Sequence, residues 1–153
     1  MMDVNRRFGG LDRLYGVSGA RAIRTAHVAV VGIGGVGSWA AEALARSGVN
    51  ELTLIALDHV SESNINRQIH ALEATMGQAK VLAMRDRIVQ INPDCHVTCI
   101  EEFVEPGNWP EMLPQGVSAV IDACDQVKAK IAMAAWAMRS DKPFISCGAA
   151  GGK

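Results

Sequence analysis

The length and composition of the chain indicate a folded protein of ordinary size. It has 153 residues, of which 49% are hydrophobic and 20% are charged, and this balance excludes both intrinsic disorder and collagen-like repeats. Fifteen lysines and arginines against sixteen aspartates and glutamates give a formal charge of -1. No net positive field would therefore attract the whole molecule to nucleic acid or to an anionic membrane, although a local basic patch is compatible with these numbers.

Neither the N-terminal residues nor the most apolar window predicts export or membrane insertion. Residues 1–8 contain two arginines with no apolar stretch behind them, unlike a secretory signal. Window 28–45 is interrupted by four glycines and Glu42, which breaks the run of about 18 apolar residues that a membrane span needs. We therefore expect a cytoplasmic protein with no membrane partner. Its four cysteines show neither a CxxC pair nor zinc-finger spacing and are expected to be free thiols, with Cys95 and Cys99 in the core.

Hydrophobic patterning predicts strands that alternate with helices along the chain. The predicted strands are 27–31, 51–57, 96–100, 117–122 and 143–146, and the predicted helices are 38–47, 78–91 and 128–140. This alternation predicts a Rossmann-like, doubly wound α/β fold, with a mostly parallel sheet and helices on both faces. Because no repeat, low-complexity segment or linker is present, residues 1–153 are expected to form a single domain.

The composition of two further segments predicts how deeply each is buried. Segment 105–116 contains three prolines and is expected to be a surface connection with at most one helical turn. Segment 131–138 is apolar all around a helix, which predicts burial on more than one side, by packing on the sheet or by a subunit contact.

A glycine-rich turn follows the first predicted strand and precedes a helix. Gly32, Gly34, Gly35 and Gly37 would allow a tight turn and a close approach of the backbone to a phosphate at the helix N-terminus. In dinucleotide-binding domains an acid about 20 residues further on holds the ribose, and Asp58 falls near that place. These features alone support an NAD-dependent oxidoreductase. A turn that only packs the helix on the sheet is the alternative without a ligand.

The polar segment after the second strand favours ATP over a dinucleotide. It contains Asn64, Arg67 and Gln68, and Lys80 lies in the first turn of the next helix. Hydride transfer needs no such cations. Attack on the α-phosphate of ATP does, because arginine and lysine neutralise charge on the phosphoryl oxygens. We therefore predict that these residues, together with Asp58 and the glycine loop, bind ATP.

Carboxylates at the end of the fourth strand suggest a metal ion. Asp125 could hold Mg²⁺, which commonly combines one or two carboxylates with substrate phosphates. Asp122 could serve the metal or the fold. His70 is expected to be structural or to face a nucleic acid rather than to act as a base, and Cys124 and Cys147 are not expected to be catalytic.

Four motifs together resemble the adenylating domain that is shared by ubiquitin-activating enzymes and bacterial ThiF-type proteins. They are Gly32-x-Gly-Gly-x-Gly37, Asp58-x-Val-x-x-Ser-Asn64-x-x-Arg67-Gln68, Gly77-x-x-Lys80 and Asp122-x-x-Asp125, and the similarity runs from about Arg7 to the last residue. The resemblance implies an enzyme that uses ATP to activate a substrate carboxylate, and a homodimer. Carried over by position, it implies that the catalytic residues are Arg67, Lys80 and Asp125. Asn64, Arg67 and Lys80 would contact phosphates, and Asp125 would hold Mg²⁺.

Segments 7–16 and 66–71 are most similar to those family members that act on tRNA. These members activate the carboxylate of a threonylcarbamoyl-adenosine, and the activated group then cyclises. Other members adenylate a ubiquitin-like sulfur carrier of the molybdopterin or thiamine type, which would make a carrier or a cysteine desulfurase the partner. The family continues well beyond residue 153, so we expect the N-terminal part of a longer protein. An inactive fragment is a further alternative.

Two positions depart from the family pattern. The family has Asp-x-Asp on the second strand, where the first acid holds the ATP ribose, and this chain has Ala56 there. Because Ala56 and Asp58 would share one sheet face, Asp58 cannot simply replace the missing acid. We expect ATP affinity to be about ten- to a hundredfold weaker as a result and to be restored by Ala56→Asp. Gly10 stands where sulfur-carrier activators place an arginine that reaches into the partner subunit, leaving Arg7 or Arg13 as substitutes.

Overall fold

A computed structural model describes residues 1–148 and contains a parallel sheet flanked by helices. The strands are β1 (His27–Val31), β2 (Glu51–Ile55), β3 (His96–Ile100), β4 (Ala119–Asp122) and β5 (Phe144–Ser146). The helices are α1 (Val4–Phe8), α2 (Gly10–Thr25), α3 (Gly37–Arg46), α4 (Lys80–Ile91) and α5 (Val127–Ser140), with 3-10 turns at Glu62–Asn64 and Glu73–Thr75. The strand order is β3-β2-β1-β4-β5 and every neighbouring pair is parallel. The predicted doubly wound α/β fold is confirmed.

Apolar side chains on the two faces of the sheet form two cores. On one face, Val30 and Leu54 pack with Met84 and Ile88 of α4. On the other, Val31 lies in a second core with α5. All five residues of β1 are buried, as expected for a central parallel strand that is covered on both sides. Among the described helices, none is long and apolar enough to cross a membrane.

Several element boundaries differ from those predicted. Strand β2 ends at Ile55 rather than at residue 57, so the alternation of side chains along a strand no longer relates Ala56 to Asp58. Helix α4 begins at Lys80 rather than at residue 78, because the backbone of Gln78 is used in an earlier contact, accepting a hydrogen bond from Val60 N at 2.8 Å.

Helices α1 and α2 were not predicted. Leu14, Tyr15 and Val17 are 69%, 56% and 65% exposed, so the segment lacks the apolar periodicity that signals a packed helix. Arg7 donates from Nη1 to Ile91 O at 2.8 Å. This bond pairs a carbonyl at the end of α4 and holds Arg7 against its own chain. Arg7 is therefore less suited to be the arginine that reaches into a partner subunit.

Segment 105–116 and helix α5 also correct the sequence interpretation. Trp109 is only 6% exposed and packs edge-on against Trp136, with ring centroids 5.3 Å apart. The segment therefore contributes to the core, although it forms no regular helix. On α5, Met133 is buried, but Ile131 and Met138 are 64% and 88% exposed. Packing on the sheet therefore buries only one side of this helix, and the alternative of a subunit contact for the other side stays a prediction.

Candidate nucleotide-binding site

A cleft of about 500 Å³ opens beyond the carboxyl ends of the strands, where doubly wound sheets bind their ligands. Its walls come from the β1–α3 loop and from the segments that follow β2, β3 and β4. The lining residues predicted from sequence are Gly32, Gly34, Gly35, Asp58, Asn64, Arg67, Gln68, Lys80 and Asp125. The structure thus brings together every predicted site residue except Gly37.

Two of the loop glycines are required by close backbone packing. Gly32 has φ +89°, and a Cβ there would lie 2.8 Å from Ala123 O. A Cβ on Gly37 would overlap Gly32 O. Gly32 and Gly37 therefore keep the turn tight, and Gly37 contributes by packing rather than by lining the cleft. Gly34 and Gly35 lie beside the side chains of Gln68 and Arg67.

Buried hydrogen bonds tie the glycine loop to the segment that carries Arg67. Ser38 Oγ donates to Gly34 O and accepts from Ile69 N. His70 is 1% exposed, and its Nε2 lies 2.8 Å from Ile33 O. Burial lowers the pKa of His70, opposed by the bond to Ile33, which favours a neutral ring that donates from Nε2. His70 is therefore structural and does not face a nucleic acid.

The guanidinium of Arg67 is held in place beside the glycine loop. Its Nη1 donates to Ser63 O at 2.8 Å and to Asn66 Oδ1 at 2.9 Å, and its aliphatic part lies next to Gly35. Trp39 Nε1 on α3 donates to Arg67 O at 2.8 Å. These contacts restrain the exposed Arg67 at the cleft.

The neighbouring Asn64 also stabilises its own loop. Its Oδ1 accepts a hydrogen bond from Ser61 N at 2.9 Å, and the residue is buried. Asn64 therefore caps the short 3-10 turn while lining the cleft, so its structural role is compatible with the predicted contact to a ligand.

Lys80 is a buried lysine that lines the cleft. The residue is 8% exposed, and its backbone N donates to Asp58 O at 3.0 Å. Burial lowers the pKa of Lys80, the charge of Arg67 lowers it further, and the charges of Asp58 and Asp125 oppose the shift. Within residues 1–148, Lys80 forms no direct ion pair. A bound polyanion would supply the charge that this ammonium lacks.

The aspartate that ends β4 and the one that follows it have different roles. Asp122 is fully buried and accepts hydrogen bonds from Cys124 N at 3.1 Å, Lys130 Nζ at 3.0 Å and Ser146 Oγ at 2.7 Å. Its carboxylate is thus used by the fold, which resolves the alternative that the sequence left open. Asp125 is exposed and lines the cleft.

The described residues fit a Mg²⁺ ion only together with a phosphate ligand. Residues 1–148 contain no group of three or more acidic, histidine or cysteine side chains arranged to hold a metal. Asp125 alone could contribute one carboxylate, the usual protein share when Mg²⁺ binds with substrate phosphates and water.

Burial raises the pKa of three of the four cysteines, Cys95, Cys99 and Cys124. Burial, reinforced by Asp122, raises the pKa of Cys124 to about 11, so this thiol is protonated and unsuited to nucleophilic attack. Cys95 and Cys99 pack at the first core, as predicted.

The sequence did not predict that the segment after β3 lines the cleft. Glu102, Phe103 and Val104 line the cleft, but no motif marks them. The available signal was topological, because residues that follow neighbouring parallel strands meet at the same edge of the sheet.

Comparison with known proteins assigns the chain to a family. The family model described as ThiF family matches residues 7–153. The chain belongs to the ThiF family. The resemblance inferred from the four motifs is thus confirmed.

Individual ThiF-family relatives resemble the chain over nearly its whole length. It is 51% identical over 148 residues to tRNA threonylcarbamoyladenosine dehydratase of Escherichia coli, covering 97% of this chain and 55% of the relative. A structure of the E. coli dehydratase in complex with ATP superimposes with a TM-score of 0.93 at 50% identity, over 97% of this chain and 61% of the other. Molybdopterin-synthase adenylyltransferase of Salmonella typhimurium is 36% identical, with 95% and 57% covered. The chain therefore spans somewhat more than half the length of these relatives.

Proposed function

We propose that the protein uses ATP to activate the carboxylate of threonylcarbamoyladenosine in tRNA, so that the activated group cyclises with net loss of water. The observation that carries the reaction type is the cleft in which the glycine loop, Arg67 and the buried Lys80 converge. The choice of tRNA as the substrate rests on 51% identity to a tRNA dehydratase, against 36% to a molybdopterin-synthase adenylyltransferase.

Charge stabilisation and orientation account for the chemistry of this site. A carboxylate oxygen of the substrate attacks the α-phosphorus of ATP, a new O–P bond forms, and pyrophosphate leaves. A nucleophile within the same threonylcarbamoyl group then attacks the activated carbonyl, closing a ring and releasing AMP. Because the carboxylate is itself the nucleophile, no side-chain base is needed for the first step.

In this proposal the cations of the cleft bind the triphosphate. Arg67, held by Ser63 O and Asn66 Oδ1, and Lys80 neutralise charge that develops on the phosphoryl oxygens. The backbone of Gly34 and Gly35 allows the phosphates to approach the loop closely. Asp125 would hold Mg²⁺, which when bound supplies further positive charge to the phosphates.

A second candidate is adenylation of a sulfur-carrier protein, with that carrier or a cysteine desulfurase as partner. The similarity to the Salmonella adenylyltransferase favours it, and the same cleft would serve both reactions. The two functions differ in the acceptor carboxylate: one lies on a tRNA nucleoside, the other at the C-terminus of a small protein.

One experiment separates the two candidates. The full-length protein is incubated with ATP and Mg²⁺, in one reaction with tRNA bearing threonylcarbamoyladenosine and in another with a carrier protein ending in Gly-Gly. Mass spectrometry of the digested tRNA should show the modified nucleoside lighter by one water, with the carrier unchanged. A carrier that gains the mass of AMP while the tRNA stays unmodified would contradict the proposal.

A pair of arginine variants provides the control for this assay. Arg67→Gln removes a cation from the cleft and should abolish conversion of the tRNA. Arg85→Gln removes the same single positive charge from the exposed side of α4, where Arg85 pairs with Asp86. This variant should convert the tRNA as the wild type does.

A further inference from the structure

One end of the cleft is built for phosphate. Arg67 and Lys80 lie there, and the charges of Asp58 and Asp125 both act on the Lys80 ammonium. Asp58 is next to Lys80, because Lys80 N donates to Asp58 O at 3.0 Å, and Asp125 follows β4, on the far side of β1 from β2. We therefore place both carboxylates at the cation-rich end, where the triphosphate would be held.

Part of the cleft lining is apolar and comprises Ala56, Leu57, Phe103 and Val104, which follow β2 and β3. An adenine base would bury its rings against such a surface. With the phosphates beside Arg67 and Lys80 and the base against these side chains, the ribose would lie between them, near the end of β2.

The residue at the end of β2 cannot hold a ribose. In doubly wound nucleotide-binding folds, an acid that follows the second strand accepts hydrogen bonds from the ribose hydroxyls. In the pattern of the family that the chain resembles, this place is that of Ala56, which presents only a methyl group, whereas Asp58 lies two residues further on, next to Lys80. Of the three carboxylates that line the described part of the cleft, those of Asp58, Glu102 and Asp125, two belong to the phosphate end. Glu102 is the carboxylate left for the ribose.

The sheet register brings the Glu102 segment next to Ala56. Ala56 N donates to Ile100 O at 3.1 Å, at the end of β3. Glu102 follows Ile100 by two residues and lines the same cleft as Ala56. A carboxylate carried by β3 can therefore reach the region that a β2 acid would occupy.

The backbone just after Glu102 is anchored. Val104 is buried in the second core. The side chain of Asn108 donates from Nδ2 to Phe103 O and accepts at Oδ1 from Glu105 N, both at 2.8 Å. The backbone at Glu102 is thus held in place, while the residue itself is exposed and lines the cleft.

We propose that Glu102 supplies the carboxylate that accepts hydrogen bonds from the ribose hydroxyls of the nucleotide, in place of the acid absent at Ala56. The inference rests on the proposed function, because it requires an adenosine nucleotide in the cleft. It makes Glu102 a specificity-determining residue for the sugar, carried by a strand next to the one that usually provides this group.

Calorimetric titration of the full-length protein with ATP and with 2′,3′-dideoxy-ATP tests the proposal. The wild type should prefer ATP by about tenfold, as expected for a charged hydrogen bond. Glu102→Ala should weaken ATP binding by about tenfold and remove the preference over the dideoxy nucleotide. Glu101→Ala is the matched control, since Glu101 is also exposed but does not line the cleft, and it should bind both nucleotides as the wild type does.

A second substitution separates loss of the contact from loss of the fold. Ala56→Asp in the Glu102→Ala background should restore ATP affinity and the preference for ATP, because it returns an acid to the end of β2. If Glu102→Ala binds both nucleotides as the wild type does, the role of Glu102 is overturned while the proposed function stands. If the wild type binds no ATP, both are overturned.

Discussion

At the scale of single residues, the buried ammonium of Lys80 connects stability to ligand binding. Burial without a direct ion pair disfavours the charged form, and the lowered pKa of Lys80 records this cost. A phosphate in the cleft would supply the opposite charge and favour the protonated form.

Replacement of Lys80 by methionine should separate the two effects. We expect Lys80→Met to bind ATP roughly ten- to a hundredfold more weakly, because a charged hydrogen bond is lost, and to unfold at the same or a higher temperature without ligand. Titration calorimetry and thermal unfolding measure the two quantities. A variant with unchanged ATP affinity would show that Lys80 does not bind the nucleotide.

The pH dependence follows from the direction of the same shift. The lowered pKa means that the folded, ligand-free protein releases the Lys80 proton at a lower pH than the unfolded chain does. ATP affinity should therefore fall as the pH rises through that pKa, since the neutral amine cannot neutralise phosphate charge. In Lys80→Arg, whose side chain stays protonated, this alkaline loss should be absent. An equal loss in both proteins would assign it to another group.

At the scale of elements, one buried carboxylate joins three of them beside the cleft. Asp122 at the end of β4 accepts from Lys130 on α5 and from Ser146 on β5. Lys130 Nζ also donates to Cys147 O at 2.7 Å. This arrangement determines where the loop that carries Asp125 leaves the sheet.

Removal of the lysine should leave a buried charge with too few partners. We expect Lys130→Met to lower the free energy of unfolding by about 3 kcal/mol, measured by chemical denaturation. Adding Asp122→Asn should recover part of the loss, since the charge is then removed as well. Lys128→Met, on an exposed position of the same helix, should unfold like the wild type. Equal stability of Lys130→Met and Lys128→Met would contradict this account.

How far sequence predicts each element depends on how strongly it is buried. β1, buried along its whole length, was predicted with correct limits. The end of β2 was misplaced by two residues, because Ala56 and Leu57 continue the apolar pattern while the chain already turns into the cleft. Helix α2 carries its large apolar residues outward, and a pattern based on burial could not reveal it.

At the scale of the whole molecule, the parallel sheet explains why a short list of motifs located most of the cleft. The carboxyl ends of parallel strands meet at one edge, so motifs after β1, β2 and β4 converge although they are far apart in sequence. Contacts that depend on tertiary packing could not be predicted this way. Examples are the bond from His70 to Ile33 O, the use of Asp122 by Lys130, and the position of Glu102.

The central claim is that the triphosphate of ATP binds between the glycine loop and the two cations of the cleft. A crystal structure of the full-length protein with ATP and Mg²⁺ tests it most directly. The account predicts phosphate oxygens within hydrogen-bonding distance of Lys80 Nζ and the Arg67 guanidinium. A nucleotide whose phosphates contact neither side chain would contradict it.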